Sequence, residues 1–526
     1  MKKFMLIFIF MFCITLCKSQ NFKLQVFEQG QFGNVDNIVQ AKTGTLAYAI
    51  GETTGGMFTK NFLTKYTKSV SVNKVNESFK IIKSNELWEG KKKVIIGMYQ
   101  NFKLQNNNCI VYQEVLNDEQ LGDIKLAKID EESLAIEKEI TLFDFNKNNL
   151  VFDIKKLLRE AGNTYKMQLS EGNKKIFIVA EPEQKKDEEK TIFFTVTDEN
   201  LKTVSERKLS FKGKWVNINS YLCDDDGNVY ISYTSGDDDG NVKKGDADDD
   251  PRKVMIVPPN NGVIKTVSIQ TEGFTITHYG LLHSAAQNKV YIVGSYSKAW
   301  RANHLGVFYA SIDTKTMILS KVIKSDFSEE LVKKFDDDGF AKSSKKNFGL
   351  SRYFLPAYKM RGDGSIDFIL YYNEAERYDP QSNKQPDYYG GNFLDAHILN
   401  DKIIFSRIPR KMNSPMTNFY ILFSMFSNDE NLTFLYNDNA KNIEQSIDEK
   451  PRLGVVQKSE ICAATISKEG MVKRQALPVD VEGKTIGAPQ KMYPISKNEF
   501  FMVIEKLTFS NMGTAKSRFI KVTAEK

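Results

Sequence analysis

The chain contains 526 residues, of which 41% are hydrophobic, 12% aromatic and 26% charged, and its formal net charge is +7. This composition excludes an intrinsically disordered or collagen-like chain, and the length allows a large core without disulfide bonds. Because the sequence has only 4 histidines, it leaves few residues for a multi-histidine metal site.

The N-terminus has the pattern of a secretory signal peptide, which we place at residues 1–19. Lys2–Lys3 form a basic segment, Phe4–Leu16 is almost entirely apolar, and small residues precede a cut before Gln20. The apolar segment is too short for a membrane-spanning helix. The signal resembles those of Bacteroidota and predicts export to the periplasm or the cell surface. A structural lipoprotein acylated at Cys17 is the weaker alternative, because Leu16 is large for the residue before an acylated cysteine.

Removal of the signal changes the charge and the cysteine count. The mature chain would have 70 basic and 66 acidic residues, a balance of +4 with both signs interspersed. This argues against a nucleic-acid partner. The remaining cysteines are odd in number and far apart, so we expect buried thiols at Cys109, Cys223 and Cys462. The rest of the chain has no apolar stretch long enough to predict a transmembrane segment.

Apolar runs with the alternation of half-buried strands recur along the mature chain. Each follows a turn of small or polar residues, where Gly or Asn supplies the positive φ that a tight hairpin needs. The runs are Thr45–Ile50, Lys93–Met98, Lys175–Ala180, Asn228–Tyr233, Lys289–Gly294, Ile366–Tyr372, Leu432–Tyr436 and Glu499–Glu505.

A second hairpin follows each first one, as in Ile192–Thr197 with Lys202–Ser210. The unit is four antiparallel strands, repeated about eight times at roughly 65-residue spacing. Such repeats resemble the blades of a β-propeller, and the resemblance covers nearly the whole mature chain. It implies an all-β protein with one domain over residues 20–526. We expect eight blades, or seven if Val35–Ile50 belongs to another repeat.

The two ends of the chain fit together as one repeat. Asn21–Glu28 alternates like a strand but belongs to no repeat, and the last repeat ends at Ser517–Thr523 without a fourth strand. Propellers avoid exposed edges by closure of the ring. We therefore expect residues 21–28 to complete the last blade, and a frayed N-terminal strand is the alternative.

Insertions are concentrated in two of the four connections of the repeat, those from the second to the third strand and from one repeat to the next. In a propeller both emerge on one face, here called the loop face; the short turns lie on the opposite, short-turn face. Long loops on one face usually form the binding surface of a repeat protein. The insertions are Asn101–Gly122, Phe143–Asn163, Glu181–Lys190, Thr234–Pro251, Ser295–Leu305, Ser325–Ser351, Asn373–Gly391 and Asn437–Val456.

Two of these insertions contain predicted helices, Phe152–Ala161 and Ser328–Phe335. The second follows Asp326, with Glu329 three residues later, the spacing of a capping box.

One acidic loop has spacing suited to calcium, which is bound by several hard oxygen ligands. It resembles the calcium loops of other propellers and of EF-hands, although Gly240 comes early and Val242 takes the usual Gly position. A solvated acidic loop is the alternative, and we interpret Asp224–Asp226 as part of a hairpin turn. The candidate calcium ligands are Asp237, Asp239, Asn241 and Asp246.

Two neighbouring loops carry the residue types that anchor protein or glycan recognition. Packing of the aromatic rings within their own loops is the alternative. The candidate partner-binding residues are Trp300, Arg301, His304, Tyr378, Tyr388 and Tyr389.

Catalysis has little support in the sequence, which contains no nucleophile, metallohydrolase or phosphate-binding motif. His278 and His283 lie five residues apart on one predicted strand and face opposite sides, so they do not share a metal ion. Arg361–Asp363 resembles an integrin-recognition tripeptide, but a hairpin turn accounts for it.

These patterns favour an exported, soluble binding or scaffold module that holds an envelope protein or glycan through its loop face, and we expect a monomer. The alternative is a glycan hydrolase or lyase with carboxylates near the central channel of the propeller.

Overall fold

A computed structural model describes the protein between residues 22 and 524 with gaps, the longer of which are 28–34, 55–65, 89–93, 145–164, 183–188, 237–251, 343–347, 376–386, 480–484 and 507–516. The protein is all-β, with eight four-stranded antiparallel blades in a β-propeller. Within the described residues, no helix is long and apolar enough to cross a membrane.

The first four blades follow one another along the chain, each with its strands paired in sequence order. Blade 1 contains Val35–Ala41, Gly44–Ile50, Val70–Val75 and Ile81–Leu87; blade 2 contains Gln100–Leu104, Asn107–Asn117, Gln120–Ile129 and Ile136–Phe143; blade 3 contains Tyr165–Leu169, Lys175–Ala180, Lys190–Asp198 and Thr203–Phe211; blade 4 contains Trp215–Cys223, Val229–Gly236, Arg252–Val257 and Lys265–Ser268.

The last blade takes its fourth strand from the N-terminus: Phe22–Phe27 pairs antiparallel with Ser517–Ala524, with Phe22 opposite Ala524. Blade 5 contains Thr275–Ser284, Lys289–Ser297, Gly306–Asp313 and Ile323–Asp326; blade 6 contains Leu355–Met360, Ile366–Ala375, Asp387–Leu399 and Lys402–Ile408; blade 7 contains Phe423–Ser427, Asn431–Asp438, Glu460–Ser467 and Val472–Ala476; blade 8 contains Thr485–Pro494, Glu499–Lys506, Ser517–Ala524 and Phe22–Phe27.

Short elements lie in the connections between these strands. Helix α1 spans Glu329–Asp336, and its cap differs from the prediction: the hydroxyl of Ser328, not Asp326, accepts the N–H of Leu331 at 3.1 Å. The predicted helix Phe152–Ala161 lies outside the described residues. The other short elements are α2 (Ala440–Glu444), the 3-10 turn Val456–Lys458, and the strands Thr53–Thr54, Tyr66–Thr67, Val94–Ile96, Ala341–Lys342, Gly349–Leu350, Met412–Pro415 and Gly454–Val455.

Blade 2 differs from its predicted form. We predicted Lys93–Met98 as a second strand and Asn101–Gly122 as a loop, but Gln100–Leu104 and Asn107–Asn117 form the first hairpin of this blade. Its turn is built by Gln105 at φ 52°. The connection to the third strand of this blade is therefore short.

The chain divides into two compact units. Unit 1 contains residues 1–29, 371–397 and 404–526; unit 2 contains residues 30–370 and 398–403. In unit 2, blades 3 and 4 share an apolar cluster that includes Phe177, Phe194 and Ile231. The other neighbouring blades from 1 to 5 in unit 2 share apolar clusters in the same way.

In several short turns, the side chain of the first residue accepts hydrogen bonds from the backbone of the same turn. Asp130, Asp198 and Asp313 each accept two backbone N–H groups from residues later in the turn, at 2.6–3.2 Å. These hydrogen bonds satisfy backbone donors and fix the turn. As predicted, Gly or Asn has positive φ in the first hairpin turn of five blades, at Gly44, Asn173, Gly227, Asn288 and Gly364; in the turns that begin at Asp130, Asp198 and Asp313, the residues with positive φ are Leu134, Leu201 and Met317.

The hydrogen bonds of Asp224 confirm our interpretation of Asp224–Asp226 as part of a hairpin turn. Its buried carboxylate accepts the N–H groups of Asp226 and Asn228, at 3.0 and 2.8 Å, and the hydroxyl of Tyr230 at 3.2 Å.

Turns of neighbouring blades contact one another on the short-turn face of unit 2. The N–H of Gly172 in blade 3 donates to Asp225 Oδ1 in blade 4 at 3.0 Å. The N–H of Ala285 in blade 5 donates to Glu171 Oε2 at 2.8 Å, and His283 Nδ1 lies 3.2 Å from the same oxygen. These three turns therefore constrain one another.

Arg361 forms a buried ion pair at the first turn of blade 6. Its Nε and Nη2 donate to the two oxygens of Asp367, at 2.8 and 2.7 Å, and both side chains are fully buried. Asp363 accepts the N–H and hydroxyl of Ser365, at 3.0 and 2.7 Å. The tripeptide is therefore a structural turn, as predicted.

Replacement of Asp367 by alanine should destabilise the protein by about 3–5 kcal/mol, because the buried guanidinium of Arg361 would lose its carboxylate partner. Replacement of Asp363 by alanine in the same turn should cost only about 1 kcal/mol, because the Asp363 side chain is exposed and the loss is that of ordinary turn hydrogen bonds. Urea denaturation followed by circular dichroism measures both losses. Equal losses would contradict this account of the ion pair.

Unit 1 contains a buried polar cluster. Arg410 Nε donates to the carbonyl of Asn437 at 3.0 Å, and the guanidinium lies 5.1 Å from the ring centre of Phe393. Asp438 is fully buried and accepts the Asn442 side-chain amide at 2.9 Å. Burial raises the pKa of Asp438 to about 7, although the charge of Arg410 opposes the shift.

The folded protein should therefore lose stability as pH rises from about 4 to about 7. Across this range the unfolded chain has an ionised Asp438, whereas the folded chain keeps it protonated until pH passes its folded pKa of about 7. Asp438→Asn should remove this part of the pH dependence, measured as the difference in melting temperature from wild type at each pH. Asp448→Asn, at an exposed aspartate, is the control and should follow wild type. A constant difference between Asp438→Asn and wild type across the range would contradict the prediction.

Candidate functional site

The first strands of blades 3 to 6 lie side by side in unit 2. The first strand of a propeller blade is the innermost, so we call these four the inner strands. Their side chains include amides, hydroxyls, imidazoles and lysines, and none of the four contains Asp or Glu. The inner strands are Tyr165–Leu169, Trp215–Cys223, Thr275–Ser284 and Leu355–Met360.

A cluster of two histidines lies toward the loop-face end of the inner strand of blade 5. The hydroxyl of Thr277 is 3.0 Å from His304 Nδ1 and 2.9 Å from the hydroxyl of Ser295. The rings of His278 and His304 lie 5.5 Å apart, centre to centre. We call Thr277, His278 and His304 the imidazole cluster.

The backbone fixes both histidines in place. His304 follows the loop between the second and third strands of blade 5, and its N–H donates to the carbonyl of Leu350 at 2.9 Å. His278 directly follows a register shift in the pairing of the first two strands of blade 5. Such an irregularity changes the direction of side chains along a strand. His304 is 3% exposed, whereas His278 is half-buried and can contact a ligand.

Both imidazoles are neutral at pH 7. Burial and the neighbouring His278 lower the pKa of His304 to about 4, and burial and the charge of Arg252 lower the pKa of His278. A neutral imidazole donates one hydrogen bond and accepts another. The cluster therefore suits hydroxyl or amide groups of a ligand.

Polar groups of blade 4 continue the site. Asn219 Nδ2 donates to the hydroxyl of Tyr279 at 2.9 Å, and Asn217 and Asn219 are both exposed. Arg252 Nη2 donates to the carbonyl of Ile276 at 2.7 Å, and its guanidinium lies 5.9 Å from the ring centre of Tyr279. Exposed amides thus lie beside the imidazole cluster.

Of the predicted partner-binding residues, His304 lies in this cluster. Trp300, Arg301 and Tyr378 lie outside the described residues. Tyr388 and Tyr389 are half-buried on the third strand of blade 6 rather than in a loop, and Tyr388 packs against an apolar cluster of unit 1.

The predicted calcium ligands Asp237, Asp239, Asn241 and Asp246 lie in the gap 237–251, so calcium binding there stays a prediction. The described part of the chain contains no group of three His, Cys, Asp or Glu side chains placed to hold a metal ion. The described cysteines, Cys109, Cys223 and Cys462, are buried and free, as predicted.

The sequence analysis did not identify Asn217 and Asn219 as site residues, and it considered His278 only as a metal ligand. The amides alternate along a strand with the buried Ile218 between them, a pattern visible in the sequence. The proximity of His278 to His304 is not visible there, because it depends on the register shift and on the path of the loop.

No protein-family model and no curated protein matches the sequence. The solved structures with a similar fold include the WD40 domain of SCAP from fission yeast, with 9% identity, a TM-score of 0.40, and coverage of 96% of this chain and 98% of that one.

Two carbohydrate-active enzymes also have a similar fold. A PL25 ulvan lyase has 8% identity and a TM-score of 0.36, with coverage of 80% of this chain and 90% of that one. The GH93 α-L-arabinofuranosidase of Fusarium graminearum has 9% identity and a TM-score of 0.30, with coverage of 69% and 92%. At these identities the similarity concerns the β-propeller fold alone.

Three of the histidines should titrate in a defined order, which tests the electrostatics of the site. His304 should titrate near pH 4 and His278 below 6.5. Burial lowers the pKa of His283, but the hydrogen bond with Glu171 and the nearby aspartates raise it above 6.5 overall. NMR of the imidazole resonances, assigned with single His→Gln variants, measures all three. Titration of His304 above His283 would contradict the geometry of the cluster.

Proposed function

We propose that the protein is an exported binding module of the cell envelope that holds a protein partner at the loop-face end of the inner strands of unit 2. The observation that supports this most directly is the group of exposed or half-buried uncharged side chains on two adjacent inner strands, Asn217, Asn219 and His278. Export rests on the signal pattern of residues 1–19.

These side chains suit a polypeptide partner. Side-chain amides and neutral imidazoles both donate and accept, so they can pair with the N–H and C=O groups of an extended backbone. Each such hydrogen bond contributes only modestly, so several are needed for stable binding. The long connections of the loop face would supply the rest of the interface.

The enzyme alternative needs a pair of carboxylates. The first strands of blades 2 to 8 contain no Asp or Glu, and that of blade 1 contains only Asp36. One described carboxylate that could be considered for catalysis is that of Glu181, which directly follows the second strand of blade 3. It forms an ion pair with Lys166 Nζ at 2.5 Å. The arrangement of the described strands therefore favours binding over glycan cleavage.

A pull-down from envelope extract with the mature protein tests the proposal. Combined replacement of Asn217, Asn219 and His278 by alanine should reduce recovery of the partner about tenfold or more, because several hydrogen bonds are lost together. The control replaces Ser268 and Gln270, which are exposed at the outer edge of blade 4, by alanine. Its recovery should equal that of wild type.

Identical sets of captured proteins for wild type and the triple variant would overturn the proposal. A glycan array run with the same variants separates the two partner classes. Glycan binding that is lost in the triple variant, without loss of any protein, would assign the site to a glycan instead.

A further inference from the structure

Two neighbouring turns on the short-turn face of unit 2 expose aliphatic side chains. Val263 and Ile264, in the turn between the third and fourth strands of blade 4, are 81% and 40% exposed; Ile318, in the corresponding turn of blade 5, is 66% exposed. We call these three residues the aliphatic tips. Isolated exposed aliphatics are common, but three on adjacent turns are not explained by the core.

The backbone holds the tips outward. Asn260 and Asn261 have φ of 53° and 62°, and the N–H of Gly262 donates to the carbonyl of Pro259 at 3.1 Å. In blade 5, the N–H of Met317 donates to the carbonyl of Asp313 at 2.8 Å. Both turns are therefore hydrogen-bonded structures that present their apolar residues to the solvent.

The two turns form one surface. Lys265 Nζ of blade 4 donates to the carbonyl of Thr316 of blade 5 at 3.4 Å. Val267, Met317 and Leu319 of the same segments pack against the core shared by blades 4 and 5. The segments are thus anchored inward while the aliphatic tips point away from the core.

Within the two turn segments, the charge beside the tips is basic. Lys265, Lys315 and Lys321 are exposed beside them. The carboxylate of Asp313 is bound within its own turn, where it accepts the N–H groups of Lys315 and Thr316, at 3.0 and 2.8 Å. The turn segments 258–268 and 313–323 contain no other acidic residue.

We propose that the aliphatic tips dock this face of the protein on the surface of an anionic lipid bilayer. Aliphatic side chains enter the boundary between headgroups and acyl chains, and lysines beside them attract lipid phosphates. The tips are turn ends with no aromatic side chain or arginine within the two segments, whereas protein interfaces are usually anchored by Trp, Tyr and Arg. The chemistry therefore fits a membrane surface better than a protein partner.

The test is co-sedimentation of the mature protein with vesicles of phosphatidylcholine, with and without phosphatidylglycerol. Binding should require phosphatidylglycerol and weaken with added salt, because part of the attraction is electrostatic. The triple variant Val263→Ser, Ile264→Ser, Ile318→Ser should bind at least about tenfold more weakly, since the apolar contribution is removed.

The matched control is Ile82→Ser, at an aliphatic side chain that is 59% exposed on the fourth strand of blade 1. It should bind vesicles like wild type. A second variant, Lys265→Gln, Lys315→Gln, Lys321→Gln, should lose the dependence on phosphatidylglycerol. Circular dichroism establishes that each variant is folded.

Three outcomes would overturn the proposal. The first is that wild type fails to bind anionic vesicles. The second is that the serine triple variant binds them as well as wild type, and the third is that Ile82→Ser weakens binding as much as the triple variant does. Binding of the tips to a soluble acidic peptide without binding to vesicles would also overturn it, in favour of a protein partner.

Discussion

A blade inside a propeller has to bury both faces of its sheet against its neighbours. The middle strands are therefore buried on both sides: every residue from Val229 to Ser235 is buried, and the same holds from Val290 to Ser297. Polar side chains have little room there unless they are paired, because an unpaired buried polar group costs free energy. Function is thus confined to the inner strands, the outer strands and the connections.

The short-turn face and the loop face differ in how their connections are built. On the short-turn face, the first residue of a turn accepts the backbone N–H groups of that turn, and the turns of blades 3, 4 and 5 hydrogen-bond to one another. This leaves little freedom for insertions. The connections of the loop face vary in length, and a binding site can be built there.

The repeat could be predicted from the sequence because turn chemistry and alternation are local. Seven of the eight predicted runs coincide with the second strand of a blade. The prediction of the second strand of blade 2 was wrong, because Lys93–Met98 alternates as a blade strand does. The polar residues before Cys109 form a hairpin turn, which we interpreted as part of a loop. Local pattern alone does not decide which of two strands pairs with the next.

The candidate site was less accessible to prediction, for physical reasons that differ between residues. Asp326 was predicted to cap helix α1, but its carboxylate accepts the hydroxyl of Tyr296, a long-range contact that the local spacing does not reveal. His304 was identified as a loop residue, yet its ring is buried against Thr277. The position of His278 depends on a register shift, which sequence alternation conceals.

One strand connects the two ends of unit 2. His278 and His283 lie on the inner strand of blade 5, and their pKa values shift in opposite directions. Burial and the charge of Arg252 lower the pKa of His278, whereas at His283 the hydrogen bond with Glu171 and the nearby aspartates outweigh burial and raise the pKa. The loop-face end therefore offers neutral hydrogen-bonding groups, while the opposite end is constrained by charged turns. A partner held at the loop face and a membrane contacted by the aliphatic tips would meet opposite faces of the same blades. The rigid sheet between them would let both contacts exist together, since neither requires the other surface to move.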